Sequence, residues 1–190
     1  MFDEGIKLQV DRIVAEAKRG LGASSLDVVG APITVVGAGN WLISYDCIGP
    51  RVLDLVDGRY GPTEVELRNS GSHGLSLLDH LHGQDVMIVV DACVLGGQPG
   101  EVKTLVDPPL DGPVGRESSV HQLGPIETLT VARLIDPLLM PQRLVLVLVE
   151  THGINPEIEE QACQQAVAVI DREIEVWRSG SGSRKKEENM

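Results

Sequence analysis

Apolar positions along the chain follow two patterns, short continuous runs and repeats at helical spacing. Three short runs, Ile33–Val36, Val86–Val90 and Leu144–Val149, are rich in β-branched residues or leucine and predict buried strands. The alternating segment Glu64–Leu67 predicts a fourth strand, and Val102–Val106 predicts a fifth at the edge of the sheet. The pattern therefore predicts about five strands.

Segments with helical periodicity separate these strands. They predict helices at Ile48–Val56, at Leu75–Leu81 and from about Pro125 to Ile135. A last helix is predicted to begin at Asn155 and Pro156, because asparagine caps helices and proline suits the first turn. The buried stripe predicted for this helix consists of Ile158, Ala162, Ala166, Val169, Ile170, Ile174 and Trp177.

This order of elements predicts the α/β class. We expect a three-layer, open, mostly parallel twisted sheet of about five strands with helices on both faces, plus an extra N-terminal helix. Residues 1–30 are predicted to be an N-terminal helical extension, with an amphipathic helix over 3–21, and 31–178 the α/β domain. Residues 179–190 are rich in Gly, Ser, Lys and Glu, which predicts a disordered tail.

Composition and charge narrow the class of protein. The chain is 42% hydrophobic but only 3% aromatic, so its core must consist mainly of Val, Leu, Ile and Ala. A formal net charge of −12 argues against nucleic acid and anionic membranes as partners. The three cysteines fit no zinc spacing or disulfide framework, and no signal peptide or membrane-spanning run is evident. We expect a cytoplasmic protein with reduced thiols.

Three polar residues are expected near the carboxyl ends of the predicted strands. Asp46 precedes the helix that follows the first strand, Asp91 ends an apolar strand, and His121 lies just before a helix. Taken singly, each acid reads as a helix cap or a turn residue. Because ligands gather outside the carboxyl ends of strands in open α/β sheets, the three together predict a catalytic or metal site. Two carboxylates and an imidazole suit a divalent metal, or the polarisation of a water for peptide hydrolysis.

Other chemistries have weaker support. Gly37-Ala-Gly39 resembles the start of a dinucleotide fingerprint, but Leu42 stands where the third small residue belongs. His80 and His82 share a segment that a metal could use.

Serine and cysteine mechanisms are also poorly supported. Ser119 lies near His121 in sequence, but no Gly-x-Ser-x-Gly motif is present. Cys47 and Cys93 each lie near a candidate acid, yet buried cysteines are more often small core residues.

At these same residues the chain resembles the hydrogenase maturation protease family. The family's Gly-x-Gly-Asn turn and the acid, Gly and Pro that follow it are matched by Gly37–Asn40 and Asp46–Arg51. Its apolar strand running into Asp-Ala, then Gly and Pro-Gly-Glu, is matched by Val89–Glu101. Its Ser/Thr-rich approach to a histidine is matched by Ser118–His121. These motifs occur in the family's order over roughly residues 33–175.

The resemblance implies an endopeptidase without an evident Ser or Cys nucleophile. Its substrate would be the precursor of a nickel–iron hydrogenase large subunit, from which it would remove a C-terminal peptide after nickel insertion. Asp46, Asp91 and His121 would contact nickel carried by that substrate, and no organic cofactor is implied.

The chain departs from the family at one acid of the first motif. The family's acidic pair reads Tyr45-Asp46, so one carboxylate is lost. This loss leaves open a second hypothesis, a non-catalytic nickel-dependent chaperone of the large subunit. A nucleotide-dependent enzyme that uses the Gly37–Gly39 turn is a third.

Overall fold

The computed structural model describes residues 30–44, 46–72, 74–110 and 124–187. They form a five-stranded sheet in which the strands are ordered β2-β1-β3-β5-β4. The strands are β1 (Ile33–Ala38), β2 (Val65–Gly71), β3 (Val86–Cys93), β4 (Val102–Val106) and β5 (Arg143–Glu150). β2, β1, β3 and β5 run parallel to one another, and β4 pairs antiparallel with β5 at the edge. The predicted mostly parallel sheet and its edge strand are confirmed.

Helices cover both faces of this sheet. The α-helices are α1 (Ile48–Val56), α2 (Pro125–Ile135) and α3 (Pro156–Glu187), and short 3-10 helices span Gly74–His80 and Pro137–Leu139. α1 and α3 pack on one face, and α2 packs on the other with the first 3-10 helix. These layers confirm the predicted α/β class. Within the described residues, no helix is both long enough and apolar enough to cross a membrane.

The side-chain alternation of each strand divides the core between the two faces. In β5 the valines at 145, 147 and 149 pack under α1 and α3, while the leucines at 144, 146 and 148 pack under α2. Successive side chains of a strand point to opposite faces, so a continuous apolar run fills both halves of the core. This run is the physical basis of the sequence prediction for β5.

The last helix begins where its cap predicts. The Asn155 side-chain oxygen accepts a hydrogen bond of 2.9 Å from the Ile158 N–H, and the predicted stripe packs into the core from Ala162 to Trp177. Trp177 donates from Nε1 to Asp85 at 2.8 Å, which ties the helix to the amino end of β3. α3 then continues to Glu187, past residue 179, where the sequence predicts that a disordered tail begins. The predicted N-terminal helix over 3–21 lies outside the described residues.

Two elements differ in detail from the sequence pattern. The segment predicted as a helix over Leu75–Leu81 forms a 3-10 helix over Gly74–His80. The strand predicted over Glu64–Leu67 extends to Gly71, because pairing with β1 continues to Asn69 and, after a shift in register, pairs Gly71 with Ala38. Pairing with a buried neighbour thus overrides the polar sequence at the end of β2.

Candidate functional site

The loop after β1 folds back so that Asp46 lies over the end of that strand. The Asn40 N–H donates to the Asp46 carbonyl oxygen at 2.9 Å, and the Asn40 side-chain oxygen accepts from the Leu42 N–H at 2.9 Å. Gly39 has a φ of +123°, and a Cβ there would lie 1.9 Å from the Asp46 carbonyl oxygen. The Gly39-Asn40 pair therefore shapes the loop that carries Asp46.

A second pair of glycines brings α1 directly onto the sheet. A Cβ at Gly37 would lie 2.6 Å from the Gly49 carbonyl oxygen, and a Cβ at Gly49 would lie 2.2 Å from the Ala38 carbonyl oxygen. The space beside Gly37 is thus filled by the first turn of α1, and the space beside Gly39, the glycine that would face the pyrophosphate in a dinucleotide fingerprint, is filled by the Asp46 carbonyl oxygen. Gly37 and Gly49 allow the helix and the strand to pack closely. The glycine turn after β1 therefore no longer supports the nucleotide hypothesis.

Asp91 lies near the carboxyl end of β3, in register with Leu148 of β5. Burial raises the pKa of Asp91 to about 6. The Ala92 N–H donates to this carboxyl group and acts in the opposite direction, while the negative charge of Asp46 adds to the increase. Two like charges that share a poorly solvated site repel each other, and a cation between them would relieve that repulsion.

Asp46 and Asp91 line one cavity of about 160 Å³ at the carboxyl ends of β1, β2 and β3. The Ser72 hydroxyl, just beyond β2, donates a hydrogen bond of 2.8 Å to Oδ2 of Asp46. The other residues that line the cavity are Ala38, Gly39, Ser70, Gly71, Gly74, Leu77, Ala92 and Pro125. Pro125 is the first residue of α2. The structure thus brings the two predicted acids together at the expected edge of the sheet.

His121, the third predicted site residue, lies outside the described residues. In the sequence it precedes Pro125, a cavity residue, by four positions. Within the described ranges, no group of three His, Cys, Asp or Glu side chains could hold a metal ion. The assignment of Asp46, Asp91 and His121 as one site therefore stays a prediction.

His80 and His82 gather no third ligand among the residues that the structure describes. Both Nε2 atoms are buried without a hydrogen-bond partner. Burial lowers the pKa of His80, which favours a neutral ring. A larger cleft of about 400 Å³ lies between the end of α1 and the start of β2, at the opposite end of the sheet from the acids.

The two cysteines near the acids have the electrostatics of inert thiols. Cys47 is buried, and its Sγ donates to the Ser44 carbonyl oxygen at 3.2 Å. Burial and the nearby Glu159 raise the pKa of Cys47. Burial and the charge of Glu150 raise that of Cys93 to about 11. A thiol with a raised pKa holds little thiolate at neutral pH, so neither is a good nucleophile.

Two residues near the site were not singled out from the sequence. Ser72 was missed because it belongs to a polar stretch that follows a weakly patterned strand. Glu150 follows the apolar run of β5, the same signal that marked Asp91, and its buried carboxylate accepts hydrogen bonds from the loop after β3. Glu150 could therefore have been identified from the sequence, as an acid at the end of an apolar strand.

The fold and the paired carboxylates define an α/β protein with an acidic, cation-compatible cavity at the carboxyl edge of its sheet. Comparison with protein families identifies the group within this class. The chain belongs to the hydrogenase maturation protease family, whose family model matches residues 50–175. The enzyme class is therefore that of endopeptidases (hydrolases).

Individual relatives agree with this placement. The chain is 32% identical over 149 residues to the hydrogenase 2 maturation protease of Escherichia coli K12, covering 73% of this chain and 90% of that protein. It is 32% identical to the hydrogenase expression/formation protein HoxM of Azotobacter vinelandii, covering 66% of this chain but 58% of that longer protein.

Solved structures give the same result. The hydrogenase maturating endopeptidase HybD from E. coli superposes with a TM-score of 0.60 at 29% identity, covering 73% of this chain and 88% of that one. The hydrogenase 2 maturation peptidase from a Thaumarchaeota archaeon gives a TM-score of 0.51 at 26% identity, covering 73% and 94%.

Proposed function

We propose that this protein removes a C-terminal peptide from the precursor of a nickel–iron hydrogenase large subunit, and that Asp46 and Asp91 contact the nickel which that substrate carries. The observation that carries the proposal is the shared cavity of these two carboxylates in a chain of the hydrogenase maturation protease family. His121 is proposed as the third contact, from the sequence motif alone.

The electrostatics of the acid pair support contact with a cation. Burial, with a smaller contribution from the charge of Asp46, raises the pKa of Asp91 to about 6, so its ionised form is less favourable than that of an exposed aspartate and would be stabilised by a cation. A divalent ion brought by the substrate supplies that cation, and carboxylate oxygens are suitable ligands for it. The cavity would therefore distinguish nickel-loaded from nickel-free precursor.

The geometry limits what the protein's own groups do in peptide hydrolysis. Ser72 holds one oxygen of Asp46, and the raised thiol pKa values argue against Cys47 and Cys93 as attacking groups. A water polarised within the acidic cavity is the proposed nucleophile.

Incubation with purified, nickel-loaded precursor tests this function. The wild-type protein is expected to shorten the precursor at its C-terminus, as read by intact-mass spectrometry, and nickel-free precursor is expected to stay intact. Asp91→Asn should stop processing while the exposed control Asp54→Asn on α1 processes normally. Binding of nickel-loaded precursor without shortening would instead support the chaperone hypothesis.

A further inference from the structure

We infer that two exposed apolar pairs beside the acidic cavity, Trp41–Leu42 and Val94–Leu95, form the rim on which the large-subunit precursor docks. This inference rests on the proposed function and names the surface through which the same site holds its protein substrate. The four residues are called the rim below.

The rim residues lie in loops that leave neighbouring strands. Trp41 and Leu42 belong to the loop after β1, and Val94 and Leu95 follow β3, which pairs directly with β1. All four side chains are exposed, and Leu42 is 92% and Val94 is 68% accessible. Each loop also carries or adjoins an acid of the cavity. Apolar side chains therefore flank the carboxylates at the same edge of the sheet.

The rim loops are braced, so the exposure of their apolar side chains is built into the fold. Glu150 is only 2% exposed, and its Oε2 accepts hydrogen bonds from the Leu95 N–H at 2.7 Å and the Gly97 N–H at 3.0 Å. Its Oε1 accepts from the His152 N–H at 3.1 Å. Charge-assisted bonds from several N–H groups satisfy this buried carboxylate and hold the loop after β3 in one conformation. The loop after β1 is held by two hydrogen bonds of Asn40, whose N–H donates to the Asp46 carbonyl oxygen and whose side-chain oxygen accepts from the Leu42 N–H.

The size of the cavity places most of the substrate contact outside it. A space of about 160 Å³ is smaller than the roughly 300–1,000 Å³ of sites that enclose a drug-sized ligand. It can receive a side chain or a ligated ion of the precursor, whereas specific protein complexes bury about 800 Å² on each partner. The flanking surface must supply the remaining contacts, and the rim presents apolar side chains there. The occupant that fits is a protein surface with apolar side chains around its metal-carrying segment.

Matched pairs of variants test the rim. Leu42→Ser is paired with Leu138→Ser, because Leu138 is 86% exposed in the 3-10 helix that precedes β5. Val94→Ser is paired with Leu134→Ser, because Leu134 is 61% exposed near the end of α2. Both control residues lie away from the carboxyl ends of the strands.

The measurements are the KM and kcat for shortening of nickel-loaded precursor, and the Kd of the same precursor for the non-cleaving Asp91→Asn protein with and without each rim change. Each rim variant should raise KM and Kd about tenfold with kcat within about twofold, and the controls should match the unaltered protein. Rim variants with unchanged KM and Kd, or controls weakened equally, would overturn the inference.

Glu150→Gln tests the brace. Loss of the charge should speed amide hydrogen exchange at Leu95 and Gly97 and raise KM about as much as Val94→Ser. Faster exchange without a change in KM would break the link between brace and docking. If Glu150→Gln does not fold, the rim pairs alone decide the inference.

Different results would contradict the docking role of the rim and the proposed function. If the wild-type protein binds precursor without shortening it, and rim variants weaken that binding, the proposed function is contradicted but the docking role of the rim is supported. If shortening proceeds but the rim variants act like wild type, only the rim falls. A KM that rises steeply with salt concentration but is unchanged in the rim variants would indicate docking through charged groups and would contradict docking on the apolar rim.

Discussion

The Ser72 hydroxyl donates a hydrogen bond of 2.8 Å to Oδ2 of Asp46. This bond joins the residue after β2 to the loop after β1 and orients one carboxylate of the cavity. Asp46 is the acid that stands beside Tyr45 where the family motif has a second acid. Its orientation therefore depends on a neighbouring loop.

Removal of this bond is expected to weaken processing more than stability. Ser72→Ala should lower kcat/KM about three- to tenfold, because an unrestrained Asp46 spends less time in the orientation that contacts the substrate. Ser72→Thr keeps the hydroxyl and serves as the control. The free energy of unfolding, measured by thermal denaturation, should differ from that of wild type by about 1 kcal/mol or less, since Ser72 is exposed. Equal kcat/KM for both variants would show that the Ser72 hydroxyl does not contribute to processing.

The raised pKa of Asp91 predicts a pH-dependent gain in stability from Asp91→Asn. Because the folded-state pKa of about 6 exceeds the ordinary value of 3.8, ionised Asp91 destabilises the fold. This penalty grows as pH rises from near 4 to about 6 and is constant above that. The variant should therefore be more stable than wild type by roughly 1–3 kcal/mol at about pH 8, and equally stable at about pH 3.5. Denaturant unfolding at both pH values checks this, and a gain at low pH alone would contradict it.

The coupling between the acids can be measured directly in the free protein. NMR titration of the Asp91 carboxyl carbon should give a pKa near 6 in wild type. Asp46→Asn removes a negative charge beside it, so the Asp91 pKa should fall. Burial is the larger cause of the increase, so the value should stay above that of an exposed aspartate. An unchanged titration in Asp46→Asn would show that the two acids do not interact.

Gly49→Ala should destabilise the fold through the contact of α1 with the sheet. The added Cβ would lie 2.2 Å from the Ala38 carbonyl oxygen and 2.8 Å from that of Val90, and these backbone atoms cannot move aside easily. We expect a loss of about 2–4 kcal/mol in the free energy of unfolding. At Gly61 a Cβ would meet nothing within 4 Å, so Gly61→Ala should be close to neutral. Similar losses in both variants would refute the packing role of Gly49.

Cysteine variants are expected to retain processing. Cys47→Ala and Cys93→Ala should keep kcat within about threefold of wild type, because both thiols are protonated at neutral pH. Cys47→Ala is expected to cost some stability, since Cys47 is buried at the start of α1. Loss of shortening in either variant, with the fold intact by circular dichroism, would reopen a thiol mechanism.

The sequence pattern predicted the fold well because the sheet is buried on both faces. Runs such as Val86–Val90 are apolar throughout only when helices cover both sides, and the capping asparagine at 155 located the start of α3. The end of β2 could not be predicted from its polar residues, since pairing with β1 extends it to Gly71. Pairing depends on a partner that is distant in the chain.

The sequence by itself determined the α/β class and the family, and it predicted Asp46, Asp91 and His121 as site residues. Strand periodicity, glycine turns and acids at strand ends are local signals, and each can be read in a few residues. Only the tertiary structure decided that these two acids share one cavity, that Ser72 orients Asp46 and that Glu150 braces the loop after β3. These contacts join residues 26 to 55 positions apart, so they follow from strand order and burial. The same burial sets the pKa of Asp91, because desolvation arises only when the layers of the fold close around the carboxyl group.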